Sequence, residues 1–338
     1  MPLISRNMKT ILPPGLSFFC ELDGASLSTL FSDPQVITTL SELNAGVNLG
    51  IIDFSPERAE VVKRLNHAMI PVVAWQLLPR EQGYWYHGCN AQQAIARYGE
   101  FTRWSAQNDL QWSGIGMDIE PDIQEFQSLM LDKRKLLKLI RRRGCGKANL
   151  RKAQAEYRQL VSLMREDGFI VDSYEFPFMI DEYWAGSTIV QRLTGMVEAP
   201  ADRRVVMLYT SFFRPYGQGV LWTYAKNAQA VAVGVTGGGV ELEGIPQPRP
   251  QDWAEFSRDL RLAGQRTSDI HIFSLEGCVE QGFMEKIIDF DWTGAEKPAH
   301  PWYELAMLAR LLIRTALWTS TRPLVVILLL LLLLWAWL

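Results

Sequence analysis

The sequence contains few of the residues that build disulfide frameworks or zinc sites. Its 338 residues include only four cysteines and four histidines. The cysteines are far apart and form no CxxC pair, at positions Cys20, Cys89, Cys145 and Cys278. This spacing argues against a zinc ribbon and against a disulfide framework, so the thiols are expected to be reduced.

The amino-terminal segment lacks an apolar run of signal-peptide length. Arg6 and Lys9 fall within it, and Pro13 and Pro14 interrupt it, so no secretory signal is expected. Net charge is also small, at −3, and its uneven distribution makes it a poor guide to partners. Apolar residues make up 48% of the chain and charged residues 21%, which allows a sizeable core and argues against bulk disorder.

Eight segments resemble strands that are buried on both faces, because most are apolar almost throughout. They span residues 16–23, 45–54, 70–77, 113–122, 168–176, 205–211, 230–236 and 269–276. Helix-like stretches lie between most of them, at 55–68, 91–108, 181–197 and 253–263. This alternation predicts an α/β fold, a (β/α)8 TIM barrel, with a doubly wound open sheet as the alternative.

The predicted domain organisation has three parts. A barrel domain covers residues 1–300 and carries a basic helical insertion at about 123–167. An interfacial helix and linker follow at 301–322, and a membrane anchor at 323–338. A single α/β barrel commonly needs roughly 250 residues, so the length suits this division.

The fourth strand-like segment, SGIGMDIEPD, ends in two carboxylates. Asp118 and Glu120 are two positions apart, so in a strand both point to the same face. Pro121 then ends the strand, because it removes a backbone donor. Two carboxylates at a buried strand end are costly unless they are used or paired. The pattern predicts a catalytic pair or, alternatively, an N-cap or salt-bridge cluster.

In a TIM barrel the active site lies at the carboxyl ends of the strands. Acidic, amide and aromatic residues occupy the predicted ends, at Glu21, Asp23, Asp53, Trp75, Gln76, Asp118, Glu120, Tyr174, Glu175, Tyr209 and Glu276. The following loops are rich in aromatic residues, among them Trp85. Aromatic faces beside a few polar groups suit a sugar, although they also suit a capped barrel mouth. We expect Trp75, Trp85 and Tyr209 to line one cavity with Asp118 and Glu120.

Two of these segments resemble motifs of family 18 glycoside hydrolases, the chitinases. Residues 113–120 are similar to that family's fourth-strand motif DGxDxDxE, with Gly114, Asp118 and Glu120 in register. Met207-Leu208-Tyr209 resembles the start of the sixth-strand motif MxYD. The chain departs from the pattern at Ser113, Gly116 and Thr210, where the family has aspartates, and Phe273 and Glu276 stand on strand eight, where it has a tryptophan.

The resemblance implies roles for individual residues. Glu120 would protonate the leaving oxygen, Asp118 would orient it, and Tyr209 would hold the substrate's acetamide. Without help from an N-acetyl group a second carboxylate is needed, and Glu175 and Glu276 are the candidates. The substrate would contact a further set, namely Glu21, Asp23, Asp53, Trp75, Gln76, Trp85 and Tyr174. The expected partner is a carbohydrate substrate, with no cofactor and no metal.

Two other functions remain open from the residues alone. A metal-assisted hydrolase of phosphodiesters would use acidic oxygens at Glu21, Asp23, Asp53, Asp118 and Glu120, but no HxH or HExxH pair accompanies them. A membrane-tethered barrel that binds a glycan or partner without chemistry is favoured by the incomplete motif.

The carboxyl-terminal residues 324–338 contain no charge, and Arg310, Arg314 and Arg322 precede them. Fifteen residues make a helix of about 22 Å, short for a hydrocarbon core of about 30 Å. We nevertheless predict a single-pass anchor that starts at Pro323 and follows an interfacial helix at 304–318. The basic residues before it favour a cytoplasmic catalytic domain.

The predicted insertion contains a strongly basic run at residues 132–152. It holds ten lysines and arginines and one aspartate, a local charge of +9. Such a run is commonly a solvated helical face, and otherwise it indicates contact with anionic lipid or nucleic acid. No aromatic residue lies within it, so nucleic-acid binding by base stacking is not expected.

Overall fold

The structure is a computed structural model that describes residues 13–132, 146–240, 244–245 and 249–325. Eight parallel strands form a closed barrel in sequence order, and β1 pairs with both β2 and β8. The predicted (β/α)8 barrel is therefore confirmed, and the alternative open sheet is wrong because it would leave β1 and β8 unpaired. The strands are β1 Gly15–Cys20, β2 Gly46–Ile51, β3 Val72–Gln76, β4 Gly114–Ile119, β5 Val171–Glu175, β6 Arg203–Met207, β7 Ala230–Gly234 and β8 Asp269–Phe273.

Helices connect the strands and cover the outside of the barrel. In the described part of the chain they are α1 Gly24–Ser32, α2 Pro34–Glu42, α3 Pro56–His67, α4 Ala91–Gln107, α5 Ile123–Leu131, α6 Lys147–Glu166, α7 Pro177–Ala185, α8 Ile189–Thr194, α9 Gly217–Ala225, α10 Trp253–Gly264, α11 Leu275–Glu280, α12 Met284–Ile288 and α13 His300–Thr321.

Local signals explain where several helices begin and end. Ser55, Asp23 and Asp33 are N-caps whose side chains accept from backbone amides of the first turn. The predicted helix at 181–197 is instead two helices, α7 and α8. Gly186, with a φ of 63°, ends α7 in the left-handed conformation that glycine adopts most easily.

The barrel interior is packed by inward-facing aromatic side chains. The ring centroid of Phe19 lies 4.8 Å from that of Tyr174 and 5.1 Å from that of Trp75. Nearer the amino ends of the strands, Asn48 Nδ2 and His271 Nδ1 are 2.9 Å apart, which pairs two buried polar groups. Side chains therefore fill this part of the interior, and the open space lies at the carboxyl ends of the strands.

The basic insertion is only partly described. Helix α5 leads into it and α6 leads out, while residues 133–145, which carry seven of the ten basic side chains, lie outside the described residues. Lys147, Arg151 and Lys152 at the start of α6 are exposed. Their exposure agrees with a solvated face and leaves the lipid contact a prediction.

A buried ion pair is among the contacts that dock helix α13 on the barrel. Arg310 Nη2 lies 2.9 Å from Asp181 Oδ1 in α7, and its Nη1 also donates to the carbonyl of Thr223 in α9. No helix in the described ranges is long and apolar enough to cross a membrane. Apart from residues 323–325, the predicted anchor lies outside the described residues.

Candidate active site

A cavity of about 490 Å³ opens at the carboxyl ends of the strands. Trp75, Trp85 and Tyr209 line it together with Asp118 and Glu120, as expected from the sequence. The other described residues of its wall are mostly apolar, namely Phe19, Glu21, Phe126, Tyr174, Phe176, Met207, Phe212, Phe213, Val235, Gly238, Gly239, Val240, Ile245 and Phe273. Few polar groups therefore stand in a mostly aromatic enclosure.

The end of β4 places two carboxyl groups on the cavity wall. Asp118 is 3% exposed, and its Oδ2 accepts a hydrogen bond of 3.2 Å from Trp75 Nε1. Apart from the carboxyl group of Glu120, which is hydrogen-bonded to Asp118, no nitrogen or hydroxyl donor of the described residues reaches its Oδ1. Burial raises the pKa of Asp118 to about 7. Burial and the charge of Asp118 raise the pKa of Glu120 well above its usual value, so Glu120 is the group that holds a proton.

A third carboxyl group, that of Glu21, reaches the cavity from the end of β1. The hydroxyl of Tyr84 donates to its Oε1, and its backbone amide donates to Glu276 Oε1 at 3.3 Å. Burial raises the pKa of Glu21 to about 8 and that of Glu276 to about 7. Glu276 stands behind Glu21 and is not part of the cavity wall.

The loop between β3 and α4 brings Tyr84 and Trp85 to the cavity, and Asn90 holds this loop in place. Asn90 Nδ2 donates to the carbonyls of Gln82 and Trp85 at 3.0 and 2.8 Å, and its Oδ1 accepts from the amide of His87 at 2.8 Å. His87 Nε2 lies 3.3 Å from Asp122 Oδ2, just before α5. The loop is thereby attached to the segment that follows Glu120.

No family model and no curated protein matches this chain. Three solved structures illustrate what the barrel is similar to. A GH18 chitinase from Pseudoalteromonas aurantia has 14% identity and a TM-score of 0.48, with 82% of this chain and 100% of that chain covered. A D-allulose 3-epimerase from Methylomonas sp. has 11% identity and a TM-score of 0.41, with coverages of 90% and 98%. A deoxyribose phosphate aldolase from Aeropyrum pernix has 13% identity and a TM-score of 0.35, with coverages of 80% and 88%.

The positions of the motif residues show which of them reach the cavity. Gly116 faces Tyr174, whose ring would overlap a Cβ at that position. Tyr174 thus occupies the space that a side chain at 116 would need. Thr210 is buried away from the cavity, where it donates to Asp259 and accepts from Gln251 Nε2 at 2.8 Å.

Besides Glu276, four residues that the sequence suggested for the site are not brought to the cavity wall. Asp23 caps α1 and is exposed, with its Oδ1 2.9 Å from the amide of Ser26. Asp53 pairs with Arg58 at 2.9 Å, and this pairing holds the pKa of Asp53 well below its usual range. Both acids stabilise helix starts instead of contacting the cavity.

Gln76 and Glu175 are absent from the cavity wall for a different reason, which is the alternation of side chains along a strand. Trp75 and Tyr174 face the cavity, so the next residue on each strand faces the outer helices. Glu175 is 2% exposed and accepts from Ser173 Oγ at 2.7 Å and from the Tyr183 hydroxyl at 2.8 Å. Its placement does not support the role of second carboxylate.

Phe126 and Phe176 line the cavity, and Tyr84 donates a hydrogen bond to Glu21. The sequence does not predict any of these three as a site residue. Tyr84 directly precedes Trp85 in an aromatic loop, which was a usable signal. Phe176 follows β5 by one residue, a position that also points to the mouth of a barrel. Phe126 lies inside α5, where an apolar residue ordinarily faces the core, so no sequence signal marks it.

The raised pKa values predict how stability depends on pH. Glu21, Asp118 and Glu276 ionise near pH 4 when unfolded but near pH 7 to 8 when folded, so the folded state binds more protons in between. The free energy of unfolding should therefore fall as pH rises from about 5 to about 8. Urea unfolding at several pH values should show this slope, and Glu21→Gln should make it shallower. An unchanged slope in Glu21→Gln would contradict the raised pKa of Glu21.

Proposed function

We propose that this protein is a glycoside hydrolase-like enzyme in which Glu120 is the general acid. The observation that carries the proposal is the pair of Asp118 and Glu120, which end β4 on the wall of an aromatic cavity, where burial raises the pKa of both and the charge of Asp118 further raises that of Glu120. Two neighbouring carboxyl groups of which one keeps its proton can act as proton donor and as charged partner. Glu120 donates its proton to the glycosidic oxygen as the bond to the anomeric carbon breaks, and Asp118 remains as the charge beside it.

The second carboxylate of this mechanism is Glu21, because Glu175 faces away from the cavity. Glu21 lines the same cavity, and Tyr84 donates a hydrogen bond that stabilises its ionised form. A pKa of about 8 suits a base that works near neutral pH. In this role Glu21 takes the proton of the water that attacks the anomeric carbon, or attacks that carbon itself.

The proposal is tested by incubating the purified protein with oligosaccharides that differ in linkage and in amino substitution. New reducing ends should appear with at least one of them. No product from any oligosaccharide, at any pH between about 5 and about 9, would contradict the proposed catalysis.

A second candidate is a barrel that binds a glycan without cleaving it. The position of Thr210 favours it, because the residue at the place of the sixth-strand aspartate points away from the cavity. Saturable binding without reducing ends, unaffected by Glu120→Gln, would select this candidate. For the metal-assisted alternative, no group of three or more His, Cys, Asp and Glu side chains in the described ranges is arranged to hold a metal ion.

We further propose that α13 lies on a lipid surface and that the apolar residues after it enter the bilayer. Its barrel side is fixed by Arg310, while Leu308, Leu311 and Leu312 are 53%, 62% and 61% exposed. The sequence continues from this face into the uncharged residues 324–338, which makes a bilayer the occupant that suits both. The barrel would then be held at the cytoplasmic face.

The full chain is expected to sediment with membranes after carbonate treatment, and a chain that ends at Thr321 is expected not to. In the shorter chain, flotation with vesicles should still occur and should be reduced by replacing Leu308, Leu311 and Leu312 with serine. Met69→Ser is the matched control, because Met69 is 88% exposed but lies after α3. Equal sedimentation of both chains would contradict insertion of residues 324–338.

A further inference from the structure

The cavity has an unusual charge balance. Glu21, Asp118 and Glu120 line it, Glu276 stands directly behind Glu21, and no lysine, arginine or histidine is found among the described residues of its wall. Arg80 lowers the pKa of Glu21 by its charge, but its own side chain is exposed and is not part of the wall. The wall therefore offers several acidic groups and no basic group to neutralise them.

One carboxyl oxygen in this cavity has no donor that persists when the acids ionise. Asp118 is 3% exposed, and its Oδ1 accepts from no nitrogen or hydroxyl of the described residues apart from the carboxyl group of Glu120, which is hydrogen-bonded to Asp118 and can donate only while it holds its proton. Once both groups are ionised, a buried carboxylate oxygen without a hydrogen bond costs free energy, unless a ligand brings the donor. The group that can replace the Glu120 proton is one that donates hydrogen bonds and, preferably, carries positive charge.

The rest of the wall suits the same kind of group. Aromatic side chains dominate it and include Trp75, Trp85, Tyr209, Phe212 and Phe273. Aromatic faces attract ammonium groups by about 0.5–2 kcal/mol, and most strongly where water is excluded. The same faces pack against the C–H surface of a sugar ring, so a single ligand can use both properties.

We propose that this cavity binds a protonated primary amine, and that the substrate class is a glucosamine-type amino sugar with a free amino group. This inference rests on the proposed glycoside hydrolase function and specifies its substrate. The ammonium sits among Glu21, Asp118 and Glu120 and donates to Asp118 Oδ1. An N-acetylated sugar offers no positive charge to these three carboxyl groups.

The proposal has a consequence for protons. Ammonium binding favours the ionised carboxylates, so at neutral pH it displaces protons from groups whose pKa is about 7 to 8. Calorimetry in two buffers with different ionisation enthalpies measures these protons directly. A ligand that forms only neutral hydrogen bonds would release fewer of them.

The test compares binding of glucosamine oligomers, N-acetylglucosamine oligomers and glucose oligomers of equal length to the full chain at about pH 6.5. Glucosamine oligomers should bind at least about tenfold more tightly than both others, with release of protons. Glu21→Gln should remove most of this preference. Glu198→Gln is the matched control and should not change it, because Glu198 pairs with Arg204 at 2.7 Å and is not part of the wall.

The outcomes separate this inference from the proposed function. If neutral oligomers are bound and cleaved as well as the amino forms, the amine site is overturned and the hydrolase survives. If no oligomer is cleaved but a primary alkylammonium probe binds in a manner that needs Glu21, the amine site stands and the hydrolase falls. If Mg²⁺ binds in a manner that needs Glu21 while amines do not bind, the site takes a hard cation and the inference is overturned. Failure of every probe overturns both.

Discussion

Replacing Glu120 with glutamine is expected to lower turnover at least about 100-fold, the usual minimum contribution of a general acid. Glutamine has nearly the same size, but its amide protons are not acidic enough to be transferred to the leaving oxygen. The carboxyl group of Glu120 keeps its proton because burial and the negative charge of Asp118 both raise its pKa. The measurement is kcat on any oligosaccharide that the unchanged protein cleaves, with thermal unfolding as a check that the fold is kept.

The matched comparison is Glu175→Gln. Glu175 lies on the neighbouring strand and was an equally good candidate from the sequence, but it is bonded to Ser173 and Tyr183 outside the cavity. Its substitution should leave kcat within about threefold of the unchanged protein. Equal losses in both variants would show that the cavity does not contain the reacting groups. Unchanged turnover in Glu120→Gln would remove Glu120 from the mechanism.

The largest effect on stability is expected from Arg58→Met, about 3–5 kcal/mol of the free energy of unfolding. The Arg58 side chain is 0% exposed and donates to the carbonyls of Gly50 and Leu22 at 2.7 and 2.8 Å. It also pairs with Asp53 at 2.9 Å. Methionine keeps the packing of the stem but leaves two carbonyls and a carboxylate without their donor. Urea unfolding measures the loss.

Asp53→Asn is the companion variant and should be milder. The Asp53 side chain is 36% exposed, so water screens part of its interaction with Arg58. Because its pKa is lowered, its stabilising contribution is complete above its unfolded value and is lost as pH falls through the acid range. Asp53→Asn should therefore be less sensitive to acid than the unchanged protein, with kcat retained. A loss of kcat as large as that of Glu120→Gln would show that Asp53 takes part in catalysis.

The positions of all eight strands followed from the sequence because parallel strands buried on both faces need continuous apolar runs. The predicted segments extend beyond the carboxyl ends of the observed strands, because the residues just after each strand resemble its last residues in polarity. Helices α1 and α2 were missed, although Asp23 and Asp33 carry N-cap signals. The place of Asp23 after an apolar run instead predicts a site residue.

The composition of the cavity depended on information that no local pattern contains. Strand alternation puts Asp118 and Glu120 on one face, and that part was available from their spacing. Whether position 75 or 76, and position 174 or 175, faces inward depends on the register between neighbouring strands. That register also brings Glu21 from the first strand to the groups of the fourth.

The eight alternating strands and the pair Asp118 and Glu120 follow from apolar runs and two-residue spacing, which are local properties of the chain. Closure of the sheet into a barrel, and the other acids that join that pair, depend on contacts between distant residues. Closure of the barrel brings Glu21 to the cavity, while Arg58 holds Asp53 outside it and alternation turns Glu175 to the helices. The physical reason is that burial and pairing, which set the pKa of each carboxyl group, arise from residues far apart in the chain.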